Sequence, residues 1–198
     1  LSLHDALPIF SYELTCIRRA SVGARVDLDL HWRLVNAPLY AERLQPDELW
    51  RDAIALPRLG PSAFGLSPVH ALLHACMHRA LNLQFGDGDR LKWLYDLHVL
   101  AGRLDHLQWQ ALTQLAIERG LAGTCLHGLK AAQVEFATVL PEPPASELAN
   151  AAAGETLDMH RVHRWLYMQR ANCIALPSSR LRLRWLRPFP NLDLKGRE

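Results

Sequence analysis

The sequence has no apolar run approaching the roughly 18 residues that a membrane-spanning helix requires, and this excludes a helical integral membrane protein. It also has no C-x-x-C pair. Its four cysteines, Cys16, Cys76, Cys125 and Cys173, lie far apart. That spacing excludes a zinc ribbon or a disulfide frame and fits reduced thiols in a cytoplasmic protein. Net charge is only +2, so no polyanionic partner, nucleic acid included, is singled out. There is no internal repeat and no initiator methionine. What remains is a chain of 198 residues, 49% of them hydrophobic, which is ample for one core and one domain.

The first nine residues, Leu1-Ser2-Leu3-His4-Asp5-Ala6-Leu7-Pro8-Ile9, have no basic n-region and no cleavage site. They resemble a peptide found at broken ends of metagenomic reading frames, where a sequencing adapter has been translated. Residues 1–10 are therefore read as a non-native leader, and His4-Asp5 is not counted as a metal motif.

Residues 25–34 carry the clearest pattern. Val26, Leu28, Leu30, Trp32 and Leu34 alternate with Asp27, Asp29, His31 and Arg33. Period two over this length predicts a strand with one buried face. Residues 12–19 form its partner across a turn at 20–24. The polar face bears two carboxylates about 7 Å apart, from the strand rise of about 3.3 Å per residue. Two such carboxylates can share a divalent cation, and they can equally be a solvated face.

Asp29-Leu30-His31-Trp32-Arg33-Leu34 resembles the D-L-H-W-x-L signature of a bacterial family of uncharacterised nucleotidyltransferases, within the polymerase-β-like superfamily. Two later stretches fall in the same order as in that family. One is His70-Ala71-Leu72-Leu73-His74-Ala75-Cys76-Met77-His78, and the other is Arg90-Leu91-Lys92-Trp93-Leu94-Tyr95-Asp96-Leu97. The resemblance covers residues 11–190. It implies transfer of a nucleotidyl group from a nucleoside triphosphate to an unknown acceptor with Mg²⁺. In the superfamily a glycine-serine turn and a D-x-D pair precede a third carboxylate. Asp29 matches that third carboxylate, and Asp27 is a second candidate. His31, Arg33, Arg90 and Lys92 are the implied contacts to phosphate or acceptor. No G-S-x-x-x-x-x-D-x-D occurs in the chain, and Ser21-Val22-Gly23 is not that motif. The expectation is a fragment, truncated at its N-terminus and inactive by itself.

Two other function classes compete. One is a non-catalytic helical interaction module. The other is a metal-dependent hydrolase on His70, His74, His78 and Asp96. Histidines four apart on a helix can chelate zinc, but the H-E-x-x-H glutamate is absent. Packing or substrate contact remains open for these histidines. Lys92 and Asp96, four apart, are expected to pair with each other.

The fold class expected is α+β, a remnant of a nucleotidyltransferase sheet followed by a bundle of about five helices. The divisions are a leader at 1–10, a partial sheet with a small hairpin at 11–66, a helical bundle at 67–176 and a basic amphipathic tail at 177–198. Ser67-Pro68 starts one helix and Asp105 another. Gly86-Asp87-Gly88-Asp89 is expected to cap a helix from Arg90 to Ala101. Further helices are expected at 121–140, from Ser146, and at 155–172. The tail alternates arginine with leucine from Arg180 to Arg187. It is either an amphipathic segment docked on the body with solvated arginines or one that lies on an anionic membrane or nucleic acid.

Overall fold

In the computed structural model the described residues are 12–19, 25–86 and 89–187. The leader, the 20–24 turn, Asp87-Gly88 and the segment 188–198 lie outside them.

The predicted strands form as β1 (Glu13–Arg19) and β2 (Arg25–His31), an antiparallel pair. Leu14 pairs with Leu30, Cys16 with Leu28 and Arg18 with Val26. Thr15 pairs with Asp29 and Ile17 with Asp27. The alternation therefore sorts as read, but β2 stops at His31 and residues 32–34 bend away. The expected buried face is not buried. Val26, Leu28, Leu30 and Trp32 are 56%, 57%, 53% and 50% exposed. Among the described residues the sheet has two strands, and no described element covers its apolar side. Burial resumes where the chain leaves the ribbon, at Val35.

Two proline-started turns of helix follow, α1 (Pro38–Ala41) and α2 (Pro46–Arg51). The small hairpin around Gly60-Pro61 forms as β3 (Ile54–Ala55) and β4 (Phe64–Gly65). The sheets at the start and the helices that follow make the fold α+β, as expected.

The body is built on α3 (Pro68–Asn82), with Leu72, Leu73, Cys76, Met77 and Ala80 sealed in the core. Ser67 caps it, accepting from the His70 amide at 3.3 Å. Next comes α4 (Leu91–Ala101), and its N-cap is Arg90 with no side-chain bond. Asp89 does not cap it as expected, because the buried Arg79 guanidinium holds both of its oxygens. Asp105 and Gln108 form a capping box on α5 (His106–Glu118). The helix α6 (Ala122–Phe136) ends sooner than residue 140. Ala137 turns left-handed at φ 52°, and Thr138 donates to the Ala132 carbonyl at 3.0 Å.

The helix expected at 155–172 is broken. Glu155 is drawn 33 residues back to the start of α6, where it accepts from the Ala122 and Gly123 amides at 2.7 and 3.0 Å. A carboxylate there satisfies two orphan amides and the positive end of the dipole. Asp158 then caps a short 3₁₀ turn, Met159–Arg161. Regular helix resumes only with α8 (Trp165–Ala175), preceded in the chain by α7 (Pro144–Ala152). Last is α9 (Ser179–Leu186), which has no buried residue. From α3 onward the described residues hold seven helices; the last, α9, lies in the stretch expected as a tail. Val35, Tyr40 and Leu44 share one core with the helices.

Inside that core an ionic network ties α2, α3 and α5. Glu48 accepts from His70 Nε2 at 3.2 Å and from Arg119 at 2.9 Å, while the Ser67 hydroxyl meets His70 Nδ1 at 2.9 Å. Removing one partner of a buried pair strands the other. Glu48→Ala is therefore expected to cost about 2–4 kcal/mol of unfolding free energy, measured as a lower urea midpoint at unchanged slope. A change under about 0.5 kcal/mol would mean that the network contributes nothing net.

Candidate functional site

The polar face of β1–β2 has a defined internal order. The Thr15 hydroxyl donates to Asp29 at 2.6 Å. Arg25 pairs with Asp27 at 2.7 Å, and His31 Nε2 lies 3.5 Å from the Glu13 carboxylate. Asp27, Asp29 and His31 are all exposed. Asp29 is thus oriented by a neutral donor and has lone pairs open to solvent. Asp27 shares its charge with Arg25. These are the properties of a carboxylate available to a cation or a hydroxyl, carried by Asp29 more than by Asp27.

Beyond His31 the polar strip continues onto the helices. Arg33 turns back and binds Glu42 through two bonds, at 3.1 and 3.3 Å. His74 on α3 sits beside the Leu34 backbone and interacts with His31. One turn on, the His78 ring is 6.2 Å from that of His74, and its other neighbour is Trp93, edge-on at 5.8 Å. The start of α4 closes the strip. Arg90 lies over Trp93 at 5.3 Å, and Lys92 stands 6.0 Å from the same ring. The Lys92–Asp96 ion pair expected from the helix spacing does not form among the described residues. Both side chains instead act on His78, whose basicity is lowered first by burial and then by Lys92, and raised by Asp96.

His70 does not belong to this strip. It is buried against Glu48 and Ser67, and so the set His70, His74, His78 and Asp96 does not form a metal centre. Among the described residues no three His, Cys, Asp or Glu side chains are grouped to hold an ion. The Ser67–His70–Glu48 sequence of bonds has the residue types of a hydrolase triad, but Ser67 is a helix cap. Side-chain exposures of 3% for His70 and 11% for Glu48 leave no room for a substrate.

Sequence reasoning missed Thr15 as the residue that orients Asp29. It also missed the unit Arg79–Asp89–His127. Arg79 is almost fully buried and donates to His127 Nδ1 at 3.0 Å as well as to Asp89. No spacing signal joins residues 48 apart.

With the geometry established, the comparisons give it a class. Residues 9–137, more than half of the chain, match the family described as Uncharacterised nucleotidyltransferase. The chain belongs to that family. No curated protein and no solved structure matches it.

The histidines also predict a pH response. Burial, then the Arg79 charge, pushes His127 down to about 4. Burial comes first for His74 and His78 too, and both are lowered. Each folded-state value lies below the ordinary histidine value of 6.5. Above pH 6.5 neither state binds the proton, and stability is full. As pH falls from 6.5 towards 4 the unfolded chain takes protons that the folded His127 refuses, so stability is lost across that window. Thermal melts should show Tm falling through it, with a shallower slope in His127→Gln. A slope unchanged by that substitution would contradict the assignment.

Proposed function

We propose that this chain carries part of the site of an enzyme that transfers a nucleotidyl group from a nucleoside triphosphate to an acceptor. The observation that supports this best is Asp29, exposed on β2, held by Thr15 and facing a strip that leads to the cationic start of α4. In this reading Asp29 binds a divalent metal, Mg²⁺, or orients the acceptor hydroxyl, with Asp27 beside it. His31, Arg33, Arg90 and Lys92 contact phosphate or acceptor. Asp29 and Asp27 do not form a complete Mg²⁺ site. The chain has no G-S-x-x-x-x-x-D-x-D element, and the described residues hold no ligand cluster. Two-metal transfer needs more carboxylates than these, so the 198-residue chain by itself is catalytically silent.

A second reading has its own observation. Leu14, Val26, Leu28, Leu30 and Trp32 present one apolar ribbon face that is largely in water. A non-catalytic module that docks a partner there would account for it. The histidine-based hydrolase has no comparable support.

The test is pyrophosphate release by the purified chain with each nucleoside triphosphate and Mg²⁺. No release above the protein-free rate is expected. Turnover that disappears in Asp29→Asn would contradict the silence of the chain while keeping Asp29 in its role. Turnover indifferent to Asp29→Asn would overturn the site.

A further inference from the structure

The charge of this chain is unevenly distributed. Residues 159–187 contain seven arginines and no aspartate or glutamate, although the whole chain carries only +2. The segment contains α8 and α9. Arg182 is used internally, donating to the Leu176 and Ile174 carbonyls at 3.0 and 3.1 Å, where it closes the C-terminal end of α8. This bond, with Leu181 and Trp185 half-buried, fixes the inner side of α9. At 3.6 residues per turn Leu183 and Leu186, three apart, form a stripe turned away from Leu181 and Trp185, and Arg187, Arg180 and Arg184 run along its outer edge. Leu183 is 71% exposed and Leu186 45%. The three arginines are exposed, and among the described residues none of them has an ion-pair partner.

We propose that the outer side of α9 is a docking surface for an anionic lipid bilayer. The charge alone would suit any polyanion. The leucines decide between them. On a nucleic-acid backbone the arginines would find phosphates and the leucines would stay in water. On a bilayer the same helix lies in the interface plane with its leucines among the acyl chains and its arginines at the headgroups. Segments of this kind gain from each basic residue near an anionic leaflet and lose that gain as salt screens it. Leu181, Trp185 and Arg182 hold one side of α9 to the body, and the exposed leucines leave a second apolar stripe in water.

Co-sedimentation of the intact chain with phosphatidylcholine vesicles, and with equimolar phosphatidylcholine and phosphatidylglycerol, tests this. Binding to the anionic vesicles should be at least tenfold tighter, given about fivefold for each of three arginines, and should weaken as salt is raised. Leu183→Ser/Leu186→Ser should weaken it about tenfold or more, with the far-ultraviolet circular dichroism unchanged, because both side chains are already in water. Arg180→Glu/Arg184→Glu/Arg187→Glu should abolish the preference for anionic lipid. Equal binding to both vesicles, or none, would overturn the proposal. So would binding that falls with the arginine changes and ignores the leucine changes, or tighter binding to a duplex oligonucleotide than to the vesicles.

Discussion

The burial of α3 constrains everything else in this molecule. Leu72, Leu73, Cys76, Met77 and Ala80 are sealed in the core, and a helix fixed on that side has no rotational freedom left for its polar residues. His70 is turned inward to Glu48, and Arg79 is turned to Asp89 and His127. His74 and His78 are left on the flank that meets β2 and α4. The same helix thus separates two kinds of polar chemistry. One is enclosed, paired and structural. The other is open and continuous with the carboxylate face of the ribbon. In a low-dielectric interior an unpartnered polar group is costly, and Glu48, His70, Arg79 and Asp89 are each paired within the body. Asp29, His31 and His78 of the open strip face solvent.

The ribbon is the second constraint. Two strands without a covering layer gain little from burial, and β1–β2 is held mainly by its ladder and by bonds such as Thr15 to Asp29 and Tyr12 to Asn36. Its polar face is ordered by side-chain pairs while its apolar face is in water. A site carboxylate on such an element is positioned along the strand but poorly shielded from solvent, which limits the electrostatic strength available to it. The family to which the chain belongs and the geometry of Asp29 point the same way, but the ligand set for two metals is not assembled by the described residues.

Much of this could be read from the residues alone, and the reasons are local. Ser67-Pro68, Asp105 and the alternation at 25–34 each act within a few residues, and each produced its element. What could not be read depends on what lies across from an element. Alternation tells which way Leu28 points, not whether anything covers it. The spacing of His70, His74 and His78 suggests a single side, yet each step of four drifts about 40° round a helix of 3.6 residues per turn. His70 and His78 therefore stand about 80° apart, enough for one to be buried and the other exposed. Glu155 breaks a helix because two amides on α6 need an acceptor, and nothing near Glu155 in the chain announces that. His127 is lowered first by burial and then by an arginine 48 residues away.

In the proposed function the strip from Asp29 past His31 to His74 and His78 is one ligand-facing surface for a metal–nucleotide. The most direct measurement is paramagnetic broadening of backbone amide resonances on titration with Mn²⁺ and a nucleoside triphosphate, Mn²⁺ standing in for Mg²⁺. Broadening centred on Thr15, Asp29 and His31, reaching His74, and lost in Asp29→Asn is what the account predicts. Broadening that ignores Asp29→Asn, or that leaves the β2 amides untouched, would contradict it.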